Sequence, residues 1–338
     1  MKILLIQLKR IGDLVLTTPA IAALREKFPR ADISLIVSSG TRELLSAIRG
    51  VDHTFIARGR IADAADWFTL ARRKYDYSID FTRNDRSAFL TLLSRAKKRV
   101  TSDFARVQSR VRSLSYNELV KCPIRFLHTV DYHLALLEPL GIRGAAQKLQ
   151  LHLPAWCREE AARVLKRENV RGDFLLLHPG SARLEKFWEP ERWSALMDFA
   201  AEQQMPCVMT GGNSALEKTH LAEIRRRSRS PVVDLSGKLD LLTLAALIER
   251  ARLLTTVDSA PMHLAAATQT PQVVLFGPTN PLHWRPRFSP AIILQAGEAA
   301  PLSEFSAKQK PVAMNRISTE QVIDAMKALL LAPSGVSA

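Results

Sequence analysis

The stretch from Leu253 to Pro281, LLTTVDSAPMHLAAATQTPQVVLFGPTNP, narrows the fold more than any other part of the chain. LLTTV and QVVLF are short runs rich in apolar and β-branched residues with no apolar–polar alternation, as expected of strands covered on both faces in a parallel sheet. Between them lies a helical pattern carrying His263, entered through a tight turn at Asp258–Ser259. The second run closes on Phe276–Gly277–Pro278. An acid, a hydroxyl and an imidazole thus gather at the carboxyl end of a strand, where open α/β sheets bind ligands. The backbone N–H groups of a helix start favour an anion there. Equally, Asp-Ser is a common helix N-cap, and His263 reads as an ordinary helix histidine. The segment alone leaves both readings open.

The same alternation runs through both halves. In the first, KILLIQ, ADISLIVSS, HTFIA and YSIDF read as strands. Helical patterns follow at Thr18–Phe28, Glu43–Arg49 and Ala62–Arg73, and again after Asn84–Asp85. Val100–Lys121 is polar and basic without a clean period, and reads as a long loop or irregular helix. A helix at Leu127–Leu140 precedes turn signals and a short alternating run, QLHLP, which mark a linker. The second half restarts with helix Cys157–Arg167, strand FLLLHPG, helix Pro190–Gln203, strand PCVMTGG, helix Ala215–Arg227, strand PVVDLSG and helix Leu241–Arg250. It ends on a helix at Ser318–Leu331. This order predicts two doubly wound α/β domains, 1–154 and 155–338, with a cleft between them and the last helix free to pack back on the first. No G-x-G-x-x-G follows the first strand, which counts against a dinucleotide dehydrogenase.

A chain of 338 residues exceeds one ordinary core and fits two domains of roughly 150 residues each. No apolar run reaches the ~20 residues that a membrane span needs. The N-terminus lacks a signal-peptide cleavage site and reads as a first strand. Three scattered cysteines, Cys122, Cys157 and Cys207, fit a reducing cytoplasm and no metal spacing. The net charge of +15 points to nucleic acid, an anionic membrane or a phosphorylated substrate, or to a merely basic surface. The charge is concentrated at Arg95, Lys97, Lys98, Arg99, Arg106, Arg110 and Arg112, with Arg83 and Arg86 nearby. A second knot, Arg225–Arg227 and Arg229, complements the end of its own helix. The basic stretch shows no nucleic-acid module and little aromatic interleaving, so no nucleic-acid partner is expected.

Four strand ends carry small or polar residues. Gly180 and Ser181 sit where backbone amides approach a phosphate, with Lys186 in reach of the same anion; a surface lysine is the plain alternative. Gly211–Gly212 and Ser236–Gly237 allow a ligand close to the backbone, although ordinary loops look alike. With Asp258 these ends open toward one crevice, which suggests a nucleotide whose phosphates lie near Ser181, Lys186 and Ser259. In the first domain the turn after strand one holds Lys9, Arg10, Gly12 and Asp13. Asp13 is either a helix cap or a general base taking a proton from an attacking hydroxyl.

Taken together, KILLIQLKRIGDLVLTTPAIAALREKFP, LLLHPGSARLEKFWEPERW, MTGGN and LSGKLDLLTLAALIERARLLTTVDSAPMHLAAATQTPQVVLFGPTNPLHWRP resemble the heptosyltransferases of glycosyltransferase family 9, in family order over nearly the whole chain. FWEPERW, VDSAPMHLAAA, FGPTNPLHWRP and HTVDYHLALLEPLGI resemble most the lipopolysaccharide core heptosyltransferase III branch. The resemblance implies two Rossmann-like domains facing across a cleft (GT-B) and an inverting transfer from ADP-heptose. The acceptor it implies is an inner-core lipopolysaccharide precursor, and it implies no cofactor or obligatory metal. It implies Asp13 as base and Lys186 on the donor diphosphate. Gly180, Ser181, Gly211, Gly212, Gly237, Asp258, Ser259 and His263 would line the donor site. Lys9, Arg10, Arg83, Arg86 and the Arg95–Arg112 cations would meet the anionic acceptor and the inner face of the inner membrane. A family-9 transferase with a different nucleotide sugar or acceptor is the alternative.

Overall fold

A computed structural model describes residues 1–59 and 63–332. The chain divides into two units, Met1–His152 and Leu153–Ala338. The first runs β1 (Lys2–Gln7), α1 (Ile11–Val15), α2 (Thr18–Lys27), β2 (Asp32–Ser38), β3 (His53–Ala57), α3 (Ala64–Arg73), β4 (Tyr77–Asp80), α4 (Asp85–Leu93), β5 (Lys98–Ser102), α5 (Phe104–Gln108), α6 (Arg110–Ser113), β6 (Glu118–Val120) and α7 (Thr129–Ala135). The second runs α8 (Ala155–Arg167), β7 (Leu175–His178), α9 (Pro190–Glu202), β8 (Cys207–Met209), α10 (Ala215–Arg227), β9 (Val233–Asp234), α11 (Leu241–Arg250), β10 (Leu253–Val257), α12 (Ala260–Thr268), β11 (Gln272–Phe276), α13 (Pro281–Trp284), β12 (Ala291–Gln295) and α14 (Thr319–Leu331).

Each unit has its own six-stranded sheet, ordered β3-β2-β1-β4-β5-β6 and β12-β11-β10-β7-β8-β9. Every strand pairing is parallel. In both sheets the chain winds outward one way, returns to the middle and winds outward the other way. The reversal falls between β1 and β4 in the first sheet, and between β7 and β10 in the second. Loops leaving the carboxyl ends of two such neighbours head in opposite directions, which opens a crevice between them.

The apolar runs behave as their composition requires. Leu4, Leu5 and Ile6 of β1 and all of β10 are buried, because helices cover both faces. In the second core Trp188 and Trp193 meet edge to face, 5.3 Å between ring centres, and the Trp188 indole donates to the Ile317 carbonyl at 2.9 Å. The last helix packs on β10, β11, β12 and α9 of its own unit. Val322 and Met326 join Leu275 in that core.

Several sequence expectations need correcting. Val100–Lys121 is not a loop interrupting the pattern; it contains β5, two short helices and β6, and so completes the first sheet. Charged Lys98 and Arg99 begin β5, and β6 has only three residues, so neither strand shows an apolar run. The helix expected at Glu43–Arg49 is a 3₁₀ segment, Ser39–Ala47. The helix expected over Leu127–Leu140 breaks into α7 and a 3₁₀ turn at Glu138–Leu140. QLHLP forms no strand; Gln150 N donates to Thr18 Oγ1 and His152 N to the Ala47 carbonyl. The short helix α13 and the edge strand β12 were not anticipated. Ala62, expected to begin a helix, lies outside the described residues. Among the described residues no helix is long and apolar enough to cross a membrane.

Candidate active site

At the reversal of the second sheet, the chain leaves β7 through Gly180–Ser181 into a 3₁₀ turn, Leu184–Lys186. The chain leaving β10 supplies Asp258–Ser259 and then α12. These two loops meet in one contact. Lys186 Nζ donates to Asp258 Oδ2 at 2.6 Å and to the Asp258 carbonyl at 2.9 Å. From the loop after β11, Thr279 Oγ1 donates to the same carboxylate oxygen at 2.7 Å. Lys186 and Asp258 are only 8% and 6% exposed, so Lys186 is not a surface lysine. Burying either charge alone costs several kcal/mol, and each residue is the other's compensation. Two of the three ammonium protons go to Asp258, leaving one for an incoming anion.

Around this pair is a buried polar layer. His178 Nδ1 lies 3.0 Å from Thr210 Oγ1. Thr256 Oγ1 donates to the His178 carbonyl at 3.0 Å and lies 3.3 Å from Ser259 Oγ. Ser259 holds the N-cap position of α12, but its hydroxyl makes no cap bond. In the first turn of α12, Pro261 has no N–H and Met262 N donates to the Ser259 carbonyl at 3.3 Å. The Ala260 amide is left without a side-chain cap, the condition that suits a bound anion. His263 is buried one turn further along α12. Ser181 is buried too, and its Oγ accepts from Arg183 N at 3.3 Å.

The glycines have a plainer cause than the one expected. A Cβ on Gly180 or Gly212 would run into the Glu217 carboxylate, and one on Gly211 into Leu221. Gly212 N donates to Glu217 Oε1 at 3.2 Å, so that amide is already engaged. Gly237 has φ +67° and lies against Asn213. Glu217 itself was missed, although Ser214-x-x-Glu217 is a capping-box signature.

At the reversal of the first sheet, β1 leads into Lys9, Arg10 and Asp13, and β4 into Thr82 and Arg83. Leu8 N donates to Thr82 Oγ1 at 2.7 Å and ties the two loops together. Asp13 is the third residue of α1. Its Oδ2 accepts from Arg10 N at a long 3.4 Å, and Lys9 Nζ lies 3.8 Å from Oδ1. The cap is therefore weak and the carboxylate is loosely held, with 18% of the side chain exposed. Its backbone is firmer: Thr17 Oγ1 donates to the Asp13 carbonyl at 2.8 Å, and Gln7 Nε2 to Thr17 Oγ1 at 3.0 Å. Burial holds the Lys9 ammonium below the usual lysine value; Arg83 adds to this, while Asp13 and Asp80 oppose it.

Beneath these residues Asp80 is wholly buried and takes four donors: Ser87 Oγ, Tyr116 OH, Thr82 N and Arg83 N. Burial pushes its carboxyl above the usual range against those bonds, and pushes the Tyr116 phenol up as well. Asp80 fixes the loop that carries Arg83, whose φ is +62°. The signal that would have found it is its place at the end of YSID, with one residue between it and the T-R-N-D turn.

The expected cation cluster is split. Arg83 stands at the crevice, with its guanidinium 4.7 Å from the Tyr132 ring centre. Arg106, Arg110 and Arg112 follow the carboxyl end of β5. Arg95, Lys97, Lys98 and Arg99 cluster about its amino end, at the opposite edge of the sheet, because five residues of strand span roughly 16 Å. There Lys97 pairs with Asp76, Lys98 with Glu118, and Arg99 bonds the Ser115 carbonyl. Arg86 lies 3.9 Å from Asp63, and Arg10 is exposed.

Burial holds the imidazoles of His133, His178 and His220 down to about 3, 4 and 4, from an ordinary 6.5. The unfolded chain therefore binds protons that the native chain refuses between those values. The resulting stability is fully present above pH 6.5 and is lost as pH falls toward 4. Each histidine contributes a slope of up to ~1.4 kcal/mol per pH unit in that window. Thermal melts from pH 7 to 4 should show a steady fall in midpoint, shallower in His133→Gln. A flat profile in the parent protein would contradict the neutral assignment.

Among the described residues no group of three or more His, Cys, Asp or Glu side chains is placed to hold a metal ion. The model of glycosyltransferase family 9 (heptosyltransferase) matches residues 66–312, and the chain belongs to that family. It is a glycosyltransferase. Over 331 residues it is 29% identical to lipopolysaccharide heptosyltransferase 3 of Escherichia coli K12, covering 94% of this chain and 95% of that relative. The crystal structure of a family 9 glycosyl transferase from Veillonella parvula superposes with a TM-score of 0.83 at 25% identity, covering 98% and 97% of the two chains. E. coli ADP-heptose lps heptosyltransferase II superposes at 0.79 and 20% identity, covering 98% and 99%. The two-sheet α/β fold is the fold of these structures.

Proposed function

We propose that this chain moves a heptose from ADP-heptose to the inner core of a lipopolysaccharide precursor, with inversion at the anomeric carbon. The observation that carries this reading is the buried Lys186–Asp258 pair at the reversal of the second sheet, beside the open N-terminus of α12. A diphosphate set there accepts hydrogen bonds from the remaining Lys186 N–H and from the Ala260 amide, which stabilise the charge that grows on the departing ADP. Asp258 then acts as a positioning residue for Lys186, and His263 and Ser259 as donor contacts. The acceptor belongs to the crevice of the first sheet. Its hydroxyl oxygen attacks the anomeric carbon, the bond from that carbon to the diphosphate breaks, and ADP leaves with the electron pair. The hydroxyl proton passes to Asp13, whose loosely held carboxylate is free to take it. Lys9, Arg10 and Arg83 supply positive charge for a phosphorylated core. No cofactor or obligatory metal is part of this proposal, and the reaction belongs to the cytoplasmic side of the membrane.

Incubation with ADP-heptose and a set of truncated cores, followed by weighing the products, tests the proposal. One core should gain a heptose and release ADP. Turnover with a different nucleotide sugar and none with ADP-heptose would replace the donor; no transfer to any core would overturn the reading.

A further inference from the structure

We propose that the α5–α6 segment, Phe104–Leu114, seats the chain on an anionic lipid bilayer, with Val107, Val111 and Leu114 entering the headgroup layer. Among the described residues thirteen large apolar side chains stand exposed, and seven of them lie between Phe68 and Phe126. The most exposed of these are in this segment: Val107 is 72%, Val111 80% and Leu114 78% exposed. A patch of that kind on a water-facing helix pair marks an interaction surface. Its chemistry is specific. The sequence FARVQSRVRSL holds three arginines and no acid, and exposed Arg106 and Arg110 alternate with the exposed apolar residues. Apolar side chains set among cations suit the boundary between acyl chains and anionic headgroups. Two copies meeting through this segment would instead bring their arginines together with no acid in the segment to pair them.

The segment is anchored rather than loose. Arg112 Nε donates to Asp85 and its Nη1 to the Arg83 carbonyl, at 2.7 and 2.9 Å. The guanidiniums of Arg83 and Arg125 lie 5.7 and 5.9 Å from the Phe104 ring centre. The seat is therefore fixed beside the crevice holding Arg83, Lys9 and Asp13. The inference rests on the proposed function, in which the acceptor is a lipid-borne sugar, and it gives a chain whose described residues include no spanning helix a way to reach that sugar.

Sedimentation of the full chain with vesicles tests it, using phosphatidylglycerol–phosphatidylcholine vesicles against phosphatidylcholine alone. The parent protein should bind the anionic vesicles at least tenfold more tightly, and less so at high salt. The triple variant V107S/V111S/L114S should bind them at least tenfold more weakly. Its melting midpoint and its transfer to a deacylated, water-soluble core should be unchanged. Absent binding by the parent, equal binding to neutral vesicles, or undiminished binding by the variant would overturn the proposal. So would an oligomer of the parent that the triple variant dissolves, which would make the patch a contact between copies. Vesicle binding that follows these expectations in a protein that transfers no heptose would sustain the surface and overturn the assigned reaction instead.

Discussion

Replacing Asp13 with Asn should lower turnover by ~10²–10⁴-fold, the range a positioned general base contributes, while leaving ADP-heptose affinity unchanged. The two effects separate because Asp13 belongs to the first unit and the Lys186 site to the second. Folding should hardly notice the change. The side chain's two contacts are long, 3.4 Å to Arg10 N and 3.8 Å to Lys9 Nζ, and an asparagine oxygen can still accept from Arg10 N. A midpoint shift worth more than ~0.5 kcal/mol would mean that the carboxylate is structural. Steady-state kinetics, donor titration and a thermal melt on one preparation decide the matter. Full activity in the variant would remove Asp13 as the base.

The second large effect is at Lys186. Lys186→Met leaves Asp258 buried with Thr279 as its remaining side-chain partner. Breaking one side of a buried pair costs ~3–5 kcal/mol. At ~2–4 °C per kcal/mol for a unit of this size, the melting midpoint should fall by about 6–20 °C. Donor affinity should also drop by about 10–100-fold, the worth of a hydrogen bond to a charged group. Adding Asp258→Leu removes the stranded charge, so the double variant should regain most of the stability. It should not regain donor affinity, because the ammonium is still missing. Recovery of both in the double variant would show the pair to be structural only.

The second unit was largely legible in the sequence because its central strands are short runs rich in apolar and β-branched residues, bounded by Gly, Asp and Ser. The β-branched residues and flanking turn signals of LLTTV and QVVLF mark covered strands, and α10, α11 and α14 follow their caps closely. The outer strands of the first sheet were not legible. β5 opens on Lys98 and Arg99, and β6 is three residues long; β5 is held by parallel pairing to β4, and β6 by parallel pairing to β5, not by their own patterning. That failure propagated to the site. With β5 unread, the cations from Arg95 to Arg112 looked like one cluster, whereas the strand divides them between opposite sheet edges. Lys186 and Asp258 were both singled out, but 72 residues separate them, and only the reversal of strand order between β7 and β10 makes them partners. The glycines misled for a related reason. Gly180 and Gly212 open space as expected, yet Glu217, further along the chain, occupies it. Thr279 and Asp80 carried signals in FGPT and YSID, but a single polar residue at a strand end has too many ordinary uses to be chosen without its neighbours.

The anomeric configuration of the heptose in the product, read by NMR from the incubation of ADP-heptose with a truncated core, tests the single displacement most directly. Attack by an acceptor oxygen assisted by Asp13 on the face opposite the departing ADP gives a product inverted relative to the donor. A product with the donor's configuration would require an intermediate that neither Asp13 nor the Lys186–Asp258 pair is assigned to form, and would contradict the proposed mechanism.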